Sequence, residues 1–398
     1  MSLMHILISS ISIKDKPNGV FSRSFNLSRG LAKLGHNVTL LTTHNGFCFP
    51  HKTELRDGVK IVSFPTFGSE KVSKFGYSIL SLLLRSIYII SKKFDILHAD
   101  QHRPVSFLTC HIYKLFHRKS KVICDWQDVF GKGGIYNYKS KVWKKTLGPI
   151  DNWLEIYSIK KADGVVVLSE ELNNRAHRIR QSNENITKIW GGSDVDAIKF
   201  TTNSSLHRSK FNINPKDFAI IFVGLEMEDY KNNKMVFDSI KKLKEKGLRI
   251  VIIRTGKRFS ATFKEEHNIG DEIIEVGYVD YSEYGNLLSC ANAFILMQIP
   301  NINNLSRWPN VIGDYVAAGR PIIMNLVGEL VEFEKKAPFC TLTVDNTTEV
   351  SLSFDLTRIY DNKIEIAKLN PIIAKFAKNE FSWDCRAREL SEFYTTIR

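Results

Sequence analysis

At 398 residues, with 43% hydrophobic and 25% charged side chains, the chain exceeds one typical domain and has the balance of a globular protein with two cores. Its six cysteines are scattered without a CxxC pair, which excludes a disulfide framework or zinc knuckle and fits a reducing cytoplasm. The net charge of +14 sits in one half, because residues 1–200 hold 30 Lys and Arg against 16 Asp and Glu while the rest balances at 26 against 26.

A uniformly lysine-rich composition would colour both halves alike, so the first domain is expected to meet a polyanionic partner. The chain opens on a predicted strand, His5–Ile8, with no basic-then-apolar leader before it. Val38–Thr42 reads as a second buried strand, and Phe21–Leu34 carries apolar residues at helical spacing, which makes a βαβ unit. In the loop before that helix, Lys14–Val20, Gly19 would let the backbone approach a phosphate or sugar; a loop glycine also serves as a plain turn. Val59–Phe64 is a further strand. Phe75–Ile90 is an apolar helix interrupted by Arg85, too short and too charged to span a bilayer. Its residues suit either a buried crossover helix or a surface helix that dips into lipid.

Asp95–Ala99 and Lys121–Cys124 are the next predicted strands. Asp125-Trp126-Gln127-Asp128 follows at the carboxyl end of the latter. Ligands of open α/β sheets sit beyond the carboxyl ends of strands, so Asp125 and Asp128 are candidates for acceptor chemistry, with capping and turn formation as the plain alternative. Gly164–Leu168 is another strand. His98, His102 and His111 lie near one another but lack spaced carboxylate partners on a common helix face, so no metal site is expected. The polar stretch Lys199–Asn214 reads as a linker.

The second half repeats the grammar. Phe218–Val223 is a strand, a polar loop carries Lys231 and Lys234, and Val236–Lys246 is a helix. Ile250–Arg254 is a strand ending in Thr255-Gly256, and Ile273–Val276 leads into Gly277-Tyr278-Val279. A helix from Ser282 and the strand Ala293–Met297 bring the chain to Arg307–Glu332, RWPNVIGDYVAAGRPIIMNLVGELVE. Pro309 suits the first turn of a helix, where Asn310, Val311 and Ile312 would leave N–H groups pointing outward as an anion site. Asp314 could then bond sugar hydroxyls, and Gly319 would let the helix stop close against a strand at Pro321–Met324. Phosphate plus ribose is the natural guest; an ordinary α/β crossover with Asp314 as a solvated first-turn acid is the plain reading. The expected fold is α/β, with two Rossmann-like doubly wound domains over 1–200 and 201–375, and a C-terminal helix within 376–398 crossing back to the first.

Several stretches in this order and spacing carry a resemblance: LAKLGHNVTLLTT (Leu31–Thr43), ADGVVVLSEEL (Ala162–Leu172), KIWGGSDVDAIKF (Lys188–Phe200), IIFVGLEMEDYK (Ile220–Lys231), PNVIGDYVAAGRPII (Pro309–Ile323) and FSWDCRARELSEFY (Phe381–Tyr394). The chain resembles the retaining glycosyltransferases of family 4, group 1, with the two-Rossmann B-type fold. The resemblance implies transfer of a sugar from a nucleotide-diphosphate sugar, as donor substrate, onto a hydroxyl of a glycan or lipid-linked glycan, with no cofactor and no metal. It implies that Lys231 binds the donor diphosphate, that Asp314 bonds the ribose, and that Tyr278 and Val279 hold the base. Gly19, Gly256, Asn310 and Val311 complete the implied donor site, and Asp128 the implied acceptor site. The chain departs from the family pattern at Leu225, where an arginine is usual, at Ser306, where the first of an acidic pair is usual, and at Gln127, where a histidine is usual. Arg307 is expected to replace the missing arginine, since a guanidinium clamps phosphate oxygens. A sugar-nucleotide epimerase or hydrolase of the same architecture, and a non-catalytic partner subunit, are the competing readings. The basic first half and the apolar helix together point to an anionic membrane surface as a partner, on the cytoplasmic side, rather than to nucleic acid.

Overall fold

Short β-branched runs alternating with amphipathic helices form two parallel sheets in the computed structural model, which describes residues 3–397 apart from 15–18, 45–48, 67–74, 203, 224–229 and 271. The described chain divides into two compact units. The first comprises Met1–Gly192, Leu305–Trp308 and Trp383–Arg398, and the second Ser193–Asn304 and Pro309–Ser382.

The first unit is built on eight strands: β1 (His5–Ile13), β2 (Asn37–His44), β3 (Lys52–Arg56), β4 (Val59–Pro65), β5 (Ile96–Ala99), β6 (Lys121–Trp126), β7 (Gly164–Val167) and β8 (Ile186–Lys188). Their order in the sheet is β3-β4-β2-β1-β5-β6-β7-β8, parallel except for the antiparallel β3–β4 hairpin. The buried Ile, Leu and Val of β1, β2 and β4 face the helix Gly19–Lys33 and the C-terminal helix Trp383–Thr396, which pack on each other. The helices Ile79–Ile90, Thr109–Phe116 and Leu147–Lys161 supply the crossovers from β4 to β7.

The second unit has six parallel strands: β9 (Phe218–Phe222), β10 (Ile250–Thr255), β11 (Ile273–Gly277), β12 (Ala293–Leu296), β13 (Ile322–Met324) and β14 (Thr341–Thr343), in the order β11-β10-β9-β12-β13-β14. Its core packs Ile220, Ile252 and Ile295 of the sheet against Phe237 and Ile240 of the helix Tyr230–Glu245.

Each sheet has one point where successive connections leave in opposite directions, between β1 and β5 in the first unit and between β9 and β12 in the second. In an open α/β sheet the crevice beyond that point is where ligands bind. The expected strands are present, with boundaries shifted by a few residues. The β3 edge strand is an addition, because KTELR alternates charge with single apolar residues and reads as loop. The apolar helix begins at Ile79 rather than Phe75, with Ser78 accepting from Ser81 N as its cap.

Candidate functional site

In the second unit the helix Val311–Ala317 lies over the switch point. Tyr315, one residue beyond Asp314, stacks on Phe294 of β12 with ring centroids 4.0 Å apart, and its hydroxyl accepts from Val223 N just past β9 at 3.2 Å. Asp314 is therefore fixed beside both strands that flank the crevice. Its Oδ2 accepts from the Tyr284 hydroxyl at 3.1 Å. Burial pushes the Asp314 carboxyl up to about 7, the Tyr284 hydrogen bond opposes this, and the nearby Asp194 carboxylate adds to it.

The helix start differs from the sequence reading. Pro309 precedes the helix, Asn310 is its cap residue, and Ile312 N donates to Pro309 O at 3.0 Å. Ile312 therefore offers no outward N–H, because a tight turn consumes it; Gly313 N likewise bonds Asn310 O at 3.1 Å. Gly319 ends the unit as expected: its φ is +69°, and a Cβ there would lie 2.7 Å from the Phe200 ring and 3.1 Å from Ala374.

Gly256 follows β10 with φ +93° and donates from its N–H to Gly277 O at 2.9 Å, which joins the carboxyl ends of β10 and β11. Tyr278 then projects with 85% of its surface exposed, and Val279 is half-buried beside it. Lys231 lies in the first turn of the helix Tyr230–Glu245, and its side chain, like all of Leu225, lies outside the described residues. Arg307 is half-buried, and its segment Leu305–Trp308 packs within the first unit: Trp308 stacks on Trp190 at 4.7 Å and Ser169 Oγ donates to Ser306 O. It is thus not gathered into one unit with Asn310, Val311 and Asp314.

In the first unit Gly19 opens the helix that follows β1, at the switch point; Pro17 and Asn18 lie outside the described residues. The two aspartates after β6 separate sharply. Asp125 is 1% exposed, bonded by Arg23 Nε at 2.7 Å with His98 Nε2 3.5 Å away. Burial would raise its pKa, but the Arg23 cation and His98 hold it below the usual carboxylate range. Asp125 is therefore a core ion-pair residue and not an acceptor-site group. Asp128 stands half-buried at the strand's carboxyl end, and Gln127 turns inward to donate to Asp100 O at 3.0 Å.

With this geometry in view, the Glycosyltransferase Family 4 model matches residues 17–197, and the Glycosyl transferases group 1 model matches residues 217–361. The chain belongs to the family 4, group 1 glycosyltransferases. Sucrose-phosphate synthase from Thermosynechococcus elongatus is similar in structure, with a TM-score of 0.72 at 16% identity, covering 100% of this chain and 99% of that one. The Anabaena protein HepE in complex with UDP and glucose gives 0.69 at 11% identity, over 99% and 100%. WaaG, a glycosyltransferase involved in lipopolysaccharide biosynthesis, gives 0.64 at 10% identity, over 98% and 99%. These likenesses establish the two-Rossmann B-type fold. No curated protein matches the sequence.

Two clusters of this glycosyltransferase escaped the sequence reading. Glu155, buried on the helix Leu147–Lys161, accepts from Phe130 N, Gly131 N and Trp126 Nε1 at 2.7, 2.7 and 2.8 Å, which moulds the loop after Asp128. Asp151, on the same helix, accepts from His102 Nε2 at 2.9 Å and from the Tyr77 hydroxyl, with Arg103 Nη1 3.0 Å away. Burial opposes ionisation of Asp151, but His102, Arg103 and Tyr77 bring its pKa below normal. Both carboxylates sit a full helix away in sequence from the loops they hold, so no local spacing announces them. The three histidines have separate partners: His98 bonds the Tyr394 hydroxyl at 2.9 Å, His102 bonds Asp151, and His111 bonds the Tyr157 hydroxyl at 2.9 Å.

Proposed function

We propose that this glycosyltransferase moves a hexose from a nucleoside-diphosphate sugar to a hydroxyl of a glycan or lipid-linked glycan, with retention at the anomeric carbon and without a metal ion. The observation that carries the reading is the placement of Asp314, bonded by the Tyr284 hydroxyl at 3.1 Å and held through its neighbour Tyr315 beside the second unit's switch point. A ribose diol donates two hydrogen bonds, which favour the carboxylate and make this place selective for a nucleotide over a bare sugar phosphate. The uracil base is the first to try, because HepE, a neighbour in fold, was solved with UDP and glucose. Exposed Tyr278 and half-buried Val279 at the β11 end are the base platform, and Gly256 ties that end to β10.

In this reading Lys231 neutralises charge growing on the departing diphosphate, and the N–H groups of Asn310 and Val311 add their dipoles. Leaving-group stabilisation then carries most of the rate. Asp128 orients the acceptor hydroxyl or takes its proton, in a loop shaped by Glu155. The cysteines Cys110, Cys124, Cys290, Cys340 and Cys385 are all unpaired and buried, which supports a cytoplasmic site of action. Among the described residues no helix is long and apolar enough to cross a membrane. The basic first unit supports peripheral work at the inner face of the cell membrane on a lipid-linked acceptor.

The test is incubation with UDP-, GDP- and ADP-sugars and a glycolipid extract, with the anomer of any product read by NMR. A new glycoside of retained configuration, formed with release of the nucleotide, is the expected result. A donor sugar epimerised or hydrolysed without acceptor would identify the epimerase or hydrolase reading instead.

A further inference from the structure

The helix Ile79–Ile90 is turned the wrong way round for a soluble surface. It buries Ser81, Arg85 and Ile89, while Ile79, Leu83 and Ile87 on the opposite face are 74%, 53% and 69% exposed. Arg85 is held inside by real partners: Nη1 donates to Ser10 O at 2.8 Å and Val105 O at 3.0 Å, and Nη2 to Thr43 Oγ1 at 3.0 Å. These bonds fix the helix's rotation, so the aliphatic stripe cannot roll inward. Single exposed aliphatics are ordinary, but a stripe of three at i, i+4 and i+8 along a helix about 18 Å long is a surface awaiting cover.

The neighbouring helix Thr109–Phe116 packs on this one and adds exposed apolar residues. Tyr113 donates from its hydroxyl to Lys92 O, and His117 Nε2 bonds Ile90 O, each at 2.8 Å, which ties the ends of Ile79–Ile90 and Thr109–Phe116 together. Leu115 and Phe116 are exposed there, at 62% and 69%. Beside them opens a cleft of about 520 Å³ whose lining includes Lys93, Arg118, Lys119 and Lys121. None of these four cations joins an ion pair among the described residues. One acid, Asp95, shares the cleft and is occupied by His5 N at 2.8 Å. Charge on helix ends can be a simple response to the helix dipole. Four cations without an ion pair among the described residues, around one open cleft that the exposed Phe116 also lines, exceed that need.

We propose that this face of the first unit docks on an anionic phospholipid bilayer, with the stripe Ile79, Leu83, Ile87 and Phe116 entering the interface and the cleft of Lys93, Arg118, Lys119 and Lys121 receiving lipid phosphates. The occupant follows from complementarity: the apolar stripe needs an apolar partner, and the cations need negative charge beside it, a pairing that a lipid interface supplies continuously. The cleft lies at the amino ends of β5 and β6, whereas the helix start at Ile79 follows Tyr77, which bonds Asp151 at the opposite, carboxyl edge. A bilayer along the stripe would thus reach from the cleft to the edge that carries Asp128. The inference gives the membrane-borne acceptor of the preceding reading its docking surface and rests on that reading only for purpose, since docking is measured without donor or acceptor.

The experiment is co-sedimentation of the full chain with phosphatidylcholine vesicles, with or without about one-third phosphatidylglycerol, in low and high salt. Wild type should bind the anionic vesicles at low salt and leave them at high salt. Arg118→Gln/Lys119→Gln should lower the partition coefficient at least about tenfold. Leu83→Ser/Ile87→Ser should lose binding at either salt, while Lys216→Gln/Lys378→Gln, which removes equal charge from exposed positions of the second unit, should bind as wild type does. All substituted residues here are at the surface, and circular dichroism checks that each variant is folded. Absence of wild-type binding, equal loss in the second-unit variant, or full binding without the aliphatic stripe would each overturn the proposal. Turnover of a nucleotide sugar by a non-binding protein would leave the glycosyl-transfer reading standing.

Discussion

The Tyr284 hydroxyl donates to Asp314 Oδ2 at 3.1 Å, and three residues before it Tyr281 donates to Asp194 Oδ2 at the same distance. The second carboxylate works on the first: burial raises the Asp314 pKa to about 7, the Tyr284 bond restrains it, and Asp194 pushes it further up. Because the folded value lies above the ordinary 3.8, the folded state binds the extra proton, and this group's effect is a loss of stability as pH rises from 3.8 towards 7. A ribose diol reverses the preference by bonding only the carboxylate. Nucleotide affinity should therefore increase with pH up to about 7 and level off above about 8, with proton release on binding below that point. Calorimetric titrations in two buffers of different ionisation enthalpy measure the release, and Asp314→Asn should abolish both the release and the slope.

Asp125 and Asp128 look alike in sequence, three apart after one strand, and should respond oppositely to mutation. Arg23→Leu leaves Asp125 buried without its cation and should cost about 3–5 kcal/mol in urea unfolding. Its folded pKa lies below 3.8, so the pair's contribution is complete at neutral pH and is lost as pH falls through that lower value.

Asp128→Asn should fold as wild type does and bind nucleotide unchanged, yet lose roughly 10²–10⁴-fold in transfer. Retention of full transfer by this variant would reassign Asp128 to capping the turn.

Lys231→Ala should reduce turnover by about 2–4 kcal/mol, as expected for lost charge stabilisation of a leaving diphosphate. The effect should fall on kcat more than on KM, because the diphosphate's charge grows towards the transition state. Single-turnover kinetics with the matching nucleotide sugar separate the two.

The sequence exposed what local spacing controls. Strands such as Phe218–Phe222 and Ile250–Thr255 hold continuous apolar runs, FAIIF and IVII, between helices, which suffices for a parallel sheet, and Gly319 announces its own left-handed backbone. What stayed hidden depends on partners far along the chain. Nothing near Asp125 reveals Arg23, 102 residues earlier, and nothing near Gly131 reveals Glu155. Arg85 was visible as an interruption in an apolar helix, but the direction it faces is set by Ser10, Thr43 and Val105 in other elements. The same holds for Arg307, adjacent in sequence to the helix of Asp314 but packed through Trp308 on Trp190.

The most direct measurement is calorimetric titration of UDP, GDP and ADP into the wild type and into Asp314→Ala. The account predicts that one nucleotide saturates the wild type at a single site and that the variant binds it about ten- to a hundredfold more weakly, as expected for lost hydrogen bonds to a carboxylate. Equal affinity in the two proteins, or no nucleotide binding by the wild type, would contradict a donor site built on Asp314.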